Sequence, residues 1–324
     1  MLKKKVVLKS IKYFIFILIS ILFISYIVMN KKDFYFLFTI RYKYLCFTIL
    51  FILLSLNLEI IRFFFTVRLI SKTITLLSCY RYIIVGRFLN SFIPHSGLLY
   101  RAISFKLRDN ISFTQYNALF GYYMWIDFTV SFFIGSVLFC FFNTTLTFPS
   151  FTLYHLIVFI FILLITSLVV LKIMQLIISK KVVNNSHKKF LQYFLSFLTT
   201  FFKLFSNIPL FLISLIILTL YLASSVIGLH FCFKSIDVAL PLYVLFMFVI
   251  TSKMLSVIFI TPGNLGLKEF AYGILSTYLG TGMAEGISIS MIQRALLIFM
   301  LGFFSLFLVL NDKFAKKQQL SCNS

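Results

Sequence analysis

Apolar windows about as long as a bilayer is thick recur along the whole 324-residue chain: one within the N-terminal stretch 1–32, and others near 44–65, 116–142, 151–171, 209–233, 238–260, 265–281 and 287–311. A helix crossing about 30 Å of hydrocarbon needs roughly 20 mostly apolar residues. Inside lipid every backbone amide and carbonyl must be satisfied within the protein, which leaves helices and closed β-barrels. The 44 Phe against 12 Gly and 5 Pro, without runs of alternating polarity, favour helices. The chain is therefore expected to be all-α, a polytopic membrane bundle of about eight spans. With 61% hydrophobic and 12% charged residues there is no room for a sizeable soluble domain, and residues 1–324 are read as one integral membrane domain.

The basic N-terminus resembles the start of a signal peptide, but its apolar run is too long and no small-residue cleavage site follows, so it is expected to remain as the first span. The formal charge of +22 is spread between apolar windows and not gathered into one basic domain, which argues against nucleic-acid binding and for topology. With eight spans and the N-terminus inside, the cytoplasmic face receives Lys3–Lys12, the stretch Arg62–Arg108, Lys172–Lys203 and Lys313–Lys317. The loops at 143–150 and 280–286 on the other face carry no Lys or Arg. Both termini are thus expected on the cytoplasmic side of the cell membrane. Cys46, Cys79, Cys140, Cys232 and Cys322 form no CxxC pair and lie near no His; neither a metal site nor any cofactor is expected.

Three segments are not simple spans or loops. Between 187 and 207, Gln192, Ser196, Thr199, Lys203 and Ser206 recur at helical spacing among Phe and Leu, a narrow polar stripe suited to a helix lying in the inner interface. The stretch 73–106 mixes apolar residues with Arg87, Asn90, Pro94, His95, Gly97 and Arg101, too polar for a lipid-exposed span and too apolar for a solvated loop; a re-entrant or cavity-lining segment fits. At 260–270, ITPGNLGLKEF interrupts an apolar stretch. Proline removes a donor and glycine frees the backbone, so a helix breaks and a new one starts. The N-terminus of a half-helix in the membrane directs amides and a positive dipole end at anions such as a lipid phosphate, whereas the plainer reading is a cytoplasmic turn.

Charge within a span is costly and marks function by default. Glu59, Asp127, Lys253, Glu269 and Arg294 qualify. Glu59 stands three residues before Arg62, the spacing of an ion pair on one helix face. Asp127 either pairs with a cation of the 73–106 segment or lines a cavity, and with Glu269 it is a candidate proton or ion relay. Lys253 is placed to snorkel to the inner interface. His95 beside proline reads as a hydrogen-bonded loop histidine. Arg87 and Arg101 could clasp a phosphate, and Arg294 and Glu269 stand on neighbouring windows where they could pair.

These motifs resemble the flippase-like membrane region of lysylphosphatidylglycerol synthases, a family that also includes stand-alone proteins. The family's first motif has an Asn, a Pro, then Gly, an acid and an Arg-Ala step; the corresponding positions are Asn90, Pro94, Gly97 and Arg101-Ala102. The second has Pro-Gly, Gly and a cation beside Glu, then an Arg in the last span, matched by Pro262-Gly263, Gly266, Lys268-Glu269 and Arg294. One departure is Leu98, which stands where many members carry the acid. Lysyl-transferring members add a soluble catalytic domain after the membrane region, so lysyl transfer is not expected from this chain.

The resemblance implies movement of a lipid-linked headgroup between leaflets, by analogy of fold more than of site chemistry. The expected substrates are membrane lipids, an anionic phospholipid or a polyprenyl-linked glycolipid, with Arg87, Asn90, Pro94, Gly97, Arg101, Pro262, Gly263, Gly266, Lys268, Glu269 and Arg294 as the headgroup site. Envelope-biosynthesis proteins are the expected protein partners. The alternatives are a membrane-embedded glycosyl or acyl transferase, for which no paired acids or nucleophile with a base are found, and a scaffold subunit of envelope biosynthesis.

Overall fold

The computed structural model describes residues 40–142, 150–184, 189–256 and 261–322. The expected first span lies outside them. Among the described residues the chain is helical throughout, without a strand. Ten helices occur in order: α1 (Tyr42–Arg68), α2 (Leu76–Phe92), α3 (Ser96–Asp109), α4 (Phe113–Phe142), α5 (Ser150–Asn184), α6 (Lys189–Ser206), α7 (Ile208–Lys234), α8 (Leu242–Leu255), α9 (Leu267–Tyr278) and α10 (Met283–Cys322). A 3₁₀ turn at Pro262–Asn264 precedes α9.

Five of the expected windows fold as helices long and apolar enough to cross a membrane, in α1, α4, α5, α7 and α10. The windows at 238–260 and 265–281 do not reach that length. At a rise of about 1.5 Å per residue, the 14 residues of α8 and the 12 of α9 span roughly 21 and 18 Å, short of the hydrocarbon core. Helix α8 ends at Leu255; before α9, Gly263, Asn264 and Gly266 take positive φ (54°, 57° and 83°), and the Asn264 side-chain amide donates to the carbonyl of Leu255 at 2.6 Å, tying this turn to the last turn of α8.

Lipid offers no hydrophobic drive between helices, so small residues that let backbones approach set the packing. Helix α7 lies along α1, where Ser224 donates to the Phe51 carbonyl at 3.0 Å and a Cβ on Gly228 would meet Phe51 at 3.1 Å. Tyr44, Phe47 and Phe51 then stack on the ring of Phe231. Helices α9 and α10 form a second close pair, with Gly286 against the Tyr272 carbonyl.

Residues 73–106 form a helical hairpin, α2 and α3 packed together around the turn at Ile93–His95. Gly97 makes it possible: a Cβ there would sit 1.8 Å from the Gly86 carbonyl oxygen. His95 is in the left-handed region (φ 64°) at the start of α3. Helix α6 has the expected face: Gln192, Ser196, Thr199, Lys203 and Ser206 are exposed, while Leu198, Phe201 and Leu204 are buried, with α6 packed on α4. Trp125 of α4 donates to the Leu164 carbonyl of α5 at 3.1 Å.

Candidate functional site

The bundle holds a half-open cavity of about 460 Å³ bordered by α1–α4, α7–α10 and the turn before α9. Its apolar walls include Phe51, Phe63, Phe128, Leu297 and Leu301, and among them stand most of the chain's intramembrane charges.

At one side lies a clasp. Asp127 of α4 accepts from Arg62 of α1 on one carboxylate oxygen and from Lys253 of α8 on the other, the latter at 2.6 Å. Arg62 is 3% exposed and Asp127 7%. Aromatic faces lie against both cations: the guanidinium of Arg62 is 3.6 Å from the centroid of Tyr123, with its Nη1 buried and without a hydrogen-bond partner, and the ammonium of Lys253 is 4.4 Å from the centroid of Tyr221. Next to it, Arg87 of α2 donates to Glu59 of α1, and Tyr123 donates to the Glu59 carbonyl at 3.3 Å. The pair expected within α1 between Glu59 and Arg62 thus gives way to two pairs between helices. Lys253, expected to snorkel, points inward instead. Asp127 both pairs and lines the cavity, but its cations come from α1 and α8, not from the 73–106 hairpin.

At the other side is the break before α9. Glu269 is 2% exposed and spends one oxygen on the Gly266 amide at 2.7 Å, capping the helix from its own first turn. Its other oxygen lies 2.8 Å from Nε of Arg294, the pairing anticipated from sequence. The N–H is not aligned for a hydrogen bond there, so the contact is electrostatic, and Nη2 of Arg294 is buried without a hydrogen-bond partner. The half-helix N-terminus was expected to offer its amides to a lipid phosphate; at Gly266 the protein's own carboxylate takes that place. Lys268, beside Glu269 in the same turn, reaches only the Gln293 side-chain oxygen at 3.5 Å and lies over the Tyr272 ring at 4.9 Å.

Of the residues singled out from sequence, Glu59, Arg87, Asn90, Arg101, Asp127, Lys253, Gly263, Lys268 and Arg294 line the cavity. Pro262 opens the 3₁₀ turn, Gly266 forms the junction with α9, and Glu269 caps that helix. Pro94 and Gly97 belong to the hairpin, where the Gly97 amide donates to Asn90 Oδ1 at 3.0 Å and Arg101 Nε donates to the Gly97 carbonyl at 3.2 Å. Asn90 therefore fastens α2 to α3 as well as facing the cavity. Leu98, which stands where the resemblance places an acid, lines the cavity too, so α3 brings no carboxylate to it. Sequence reasoning missed Tyr123, Tyr221, Ser252, Tyr272 and Gln293. Nothing in their local sequence separates these tyrosines from the other members of a set of 17.

Counting Arg62 and Glu269 behind the wall, six cations (Arg62, Arg87, Arg101, Lys253, Lys268, Arg294) meet three carboxylates (Glu59, Asp127, Glu269), a formal surplus of three positive charges. Among the described residues neither Arg101 nor Lys268 has a carboxylate partner. Cations set into an apolar interior without counter-charge are strongly destabilising.

No curated protein and no solved structure matches the chain. A family model does, the lysylphosphatidylglycerol synthase TM region, over residues 13–305, a stretch that includes the hairpin, the break before α9 and every charged residue of the cavity. The chain therefore belongs to the lysylphosphatidylglycerol synthase TM-region family.

Proposed function

We propose that this protein moves a lipid with an anionic headgroup, an anionic phospholipid or a polyprenyl-linked glycolipid, between the leaflets of the cytoplasmic membrane in envelope or surface-polysaccharide biogenesis. The observation that carries this reading is the surplus of three positive charges around a 460 Å³ cavity inside a helical membrane bundle. A headgroup crossing the bilayer needs a polar, shielded path while its acyl chains stay in lipid, and broken helices beside cations supply such a path in membrane transporters. The hairpin α2–α3 and the pair α8–α9 act as the broken elements, α6 lies in the inner interface, and both termini face the cytoplasm, in keeping with the basic cytoplasmic stretches. Each carboxylate of the site is already engaged by cations, which weighs against the transferase alternative, since a transferase needs a base free to take a proton.

The test is leaflet-specific movement in proteoliposomes of fluorescent phosphatidylglycerol and of a polyprenyl-phosphate sugar, against protein-free vesicles. Accelerated movement of at least one lipid is expected. Background rates for both, from protein that is monodisperse and folded, would contradict transport.

A further inference from the structure

The two kinds of polar group in the cavity are not equally available. Every carboxylate already has a cation of the protein beside it: Glu59 has Arg87 on one oxygen, Asp127 has Arg62 and Lys253 on its two oxygens, and Glu269 divides its oxygens between the Gly266 amide and Arg294. The amide acceptors are engaged as well, Asn90 Oδ1 by the Gly97 amide and Gln293 Oε1 by Lys268. The cationic donors are the opposite. Arg294 keeps Nη2 buried and without a partner, Lys268 has only its long 3.5 Å contact, and Arg101 has no carboxylate among the described residues.

We propose that the headgroup accepted here is a net anion, a phosphate-bearing group with no ammonium of its own, held between Lys268 and Arg294 with Arg101 facing the same space, and that the site turns away aminoacylated lipids. This rests on the lipid-handling reading above and narrows its substrate class. A guanidinium and an ammonium side by side offer a phosphate a directed fork and a mobile point charge. An ammonium on the incoming lipid finds no carboxylate without a cation already beside it: Glu59 keeps one oxygen clear of hydrogen bonds, but Arg87 holds the other. To be paired it must share Glu59 with Arg87 or displace Lys253 from Asp127, which sets two cations on one carboxylate or leaves another unpaired in the same low-dielectric space. Specificity then comes from repulsion as much as from attraction. The family takes its name from a lysyl lipid, yet the charge pattern of this chain selects against one.

The test is lipid binding to the purified full chain, read by native mass spectrometry in competition among phosphatidylglycerol, lysyl-phosphatidylglycerol and a polyprenyl phosphate. At least one of the two anionic lipids is expected to bind tenfold or more tightly than the lysyl lipid, and which of them wins separates a phosphodiester from an isoprenoid monoester as the source of the phosphate. Lys268→Gln and, independently, Arg101→Gln are each expected to reduce that preference at least threefold; if one of the variants does not fold, the other and the wild-type ranking decide. Equal or tighter binding of the lysyl lipid, or no measurable binding of either anionic lipid, overturns the proposal. Binding is read without movement. Selective binding of an anion that the protein does not move would therefore contradict transport and leave this inference standing, whereas rapid movement with no preference between anionic and lysyl lipids would do the reverse.

Discussion

The charges of the cavity fall into two clusters that differ in whether each cation is hydrogen-bonded to a carboxylate. In the clasp joining α1, α4 and α8, Asp127 takes Arg62 on one oxygen and Lys253 on the other, and both cations rest on tyrosine rings, although Nη1 of Arg62 stays buried without a partner. Around the break before α9, Glu269 is shared between a helix cap and an unaligned ion pair, and Arg294, Lys268 and Arg101 retain donor capacity. The first arrangement fixes three helices to one another. The second turns its cations toward the cavity with fewer carboxylates beside them, and under the proposed function a headgroup anion supplies the missing counter-charge.

The largest break in that comparison should come from the clasp. Asp127→Asn leaves two cations without a counter-charge and should cost about 3–5 kcal/mol, the range for removing one partner of a buried pair; a thermal melt of the solubilised protein should show a large drop or loss of folded material. A melt like wild type would place Asp127 with the ligand-facing charges instead. Next comes Gly97→Ala, whose methyl group would sit 1.8 Å from the Gly86 carbonyl in the unrelaxed hairpin. Prying α2 from α3 should cost about 1–3 kcal/mol in the same melt.

A smaller effect separates the two duties of Glu269. Gln keeps an oxygen for the Gly266 amide and loses the charge opposite Arg294, whereas Ala loses both, so Glu269→Ala should melt about 1 kcal/mol below Glu269→Gln. Equal melts would remove the cap from the account. The smallest change in stability is expected for Lys268→Gln and Arg101→Gln, within about 0.5 kcal/mol of wild type or slightly above it, because neither cation holds a carboxylate. A large loss in either would move that residue from the ligand side of the comparison to the structural side.

What the sequence disclosed was whatever is encoded locally. Continuous apolar runs gave the long helices, Pro262-Gly263 marked the break, and the spacing of Gln192, Ser196, Thr199, Lys203 and Ser206 gave the exposed face of α6. The Glu269–Arg294 pair was also within reach, since it joins neighbouring windows. Partners across the bundle were not. Asp127 draws its cations from positions 65 and 126 residues away, and a sequence shows which helix face a charge occupies but not which helix faces it. The Glu59–Arg62 spacing misled for that reason. Hydropathy likewise overstated α8 and α9, because an apolar side chain in the break scores the same as one in a helix, while α8 ends at Leu255 and α9 starts only after the positive φ of Gly263, Asn264 and Gly266.

The most direct test of the central claim, that the under-satisfied cations are the headgroup site, is lipid movement by the Arg101→Gln/Lys268→Gln double variant in proteoliposomes, made on protein whose melt matches wild type. The account predicts movement at least tenfold slower than wild type for the transported lipid; a rate equal to wild type would contradict it.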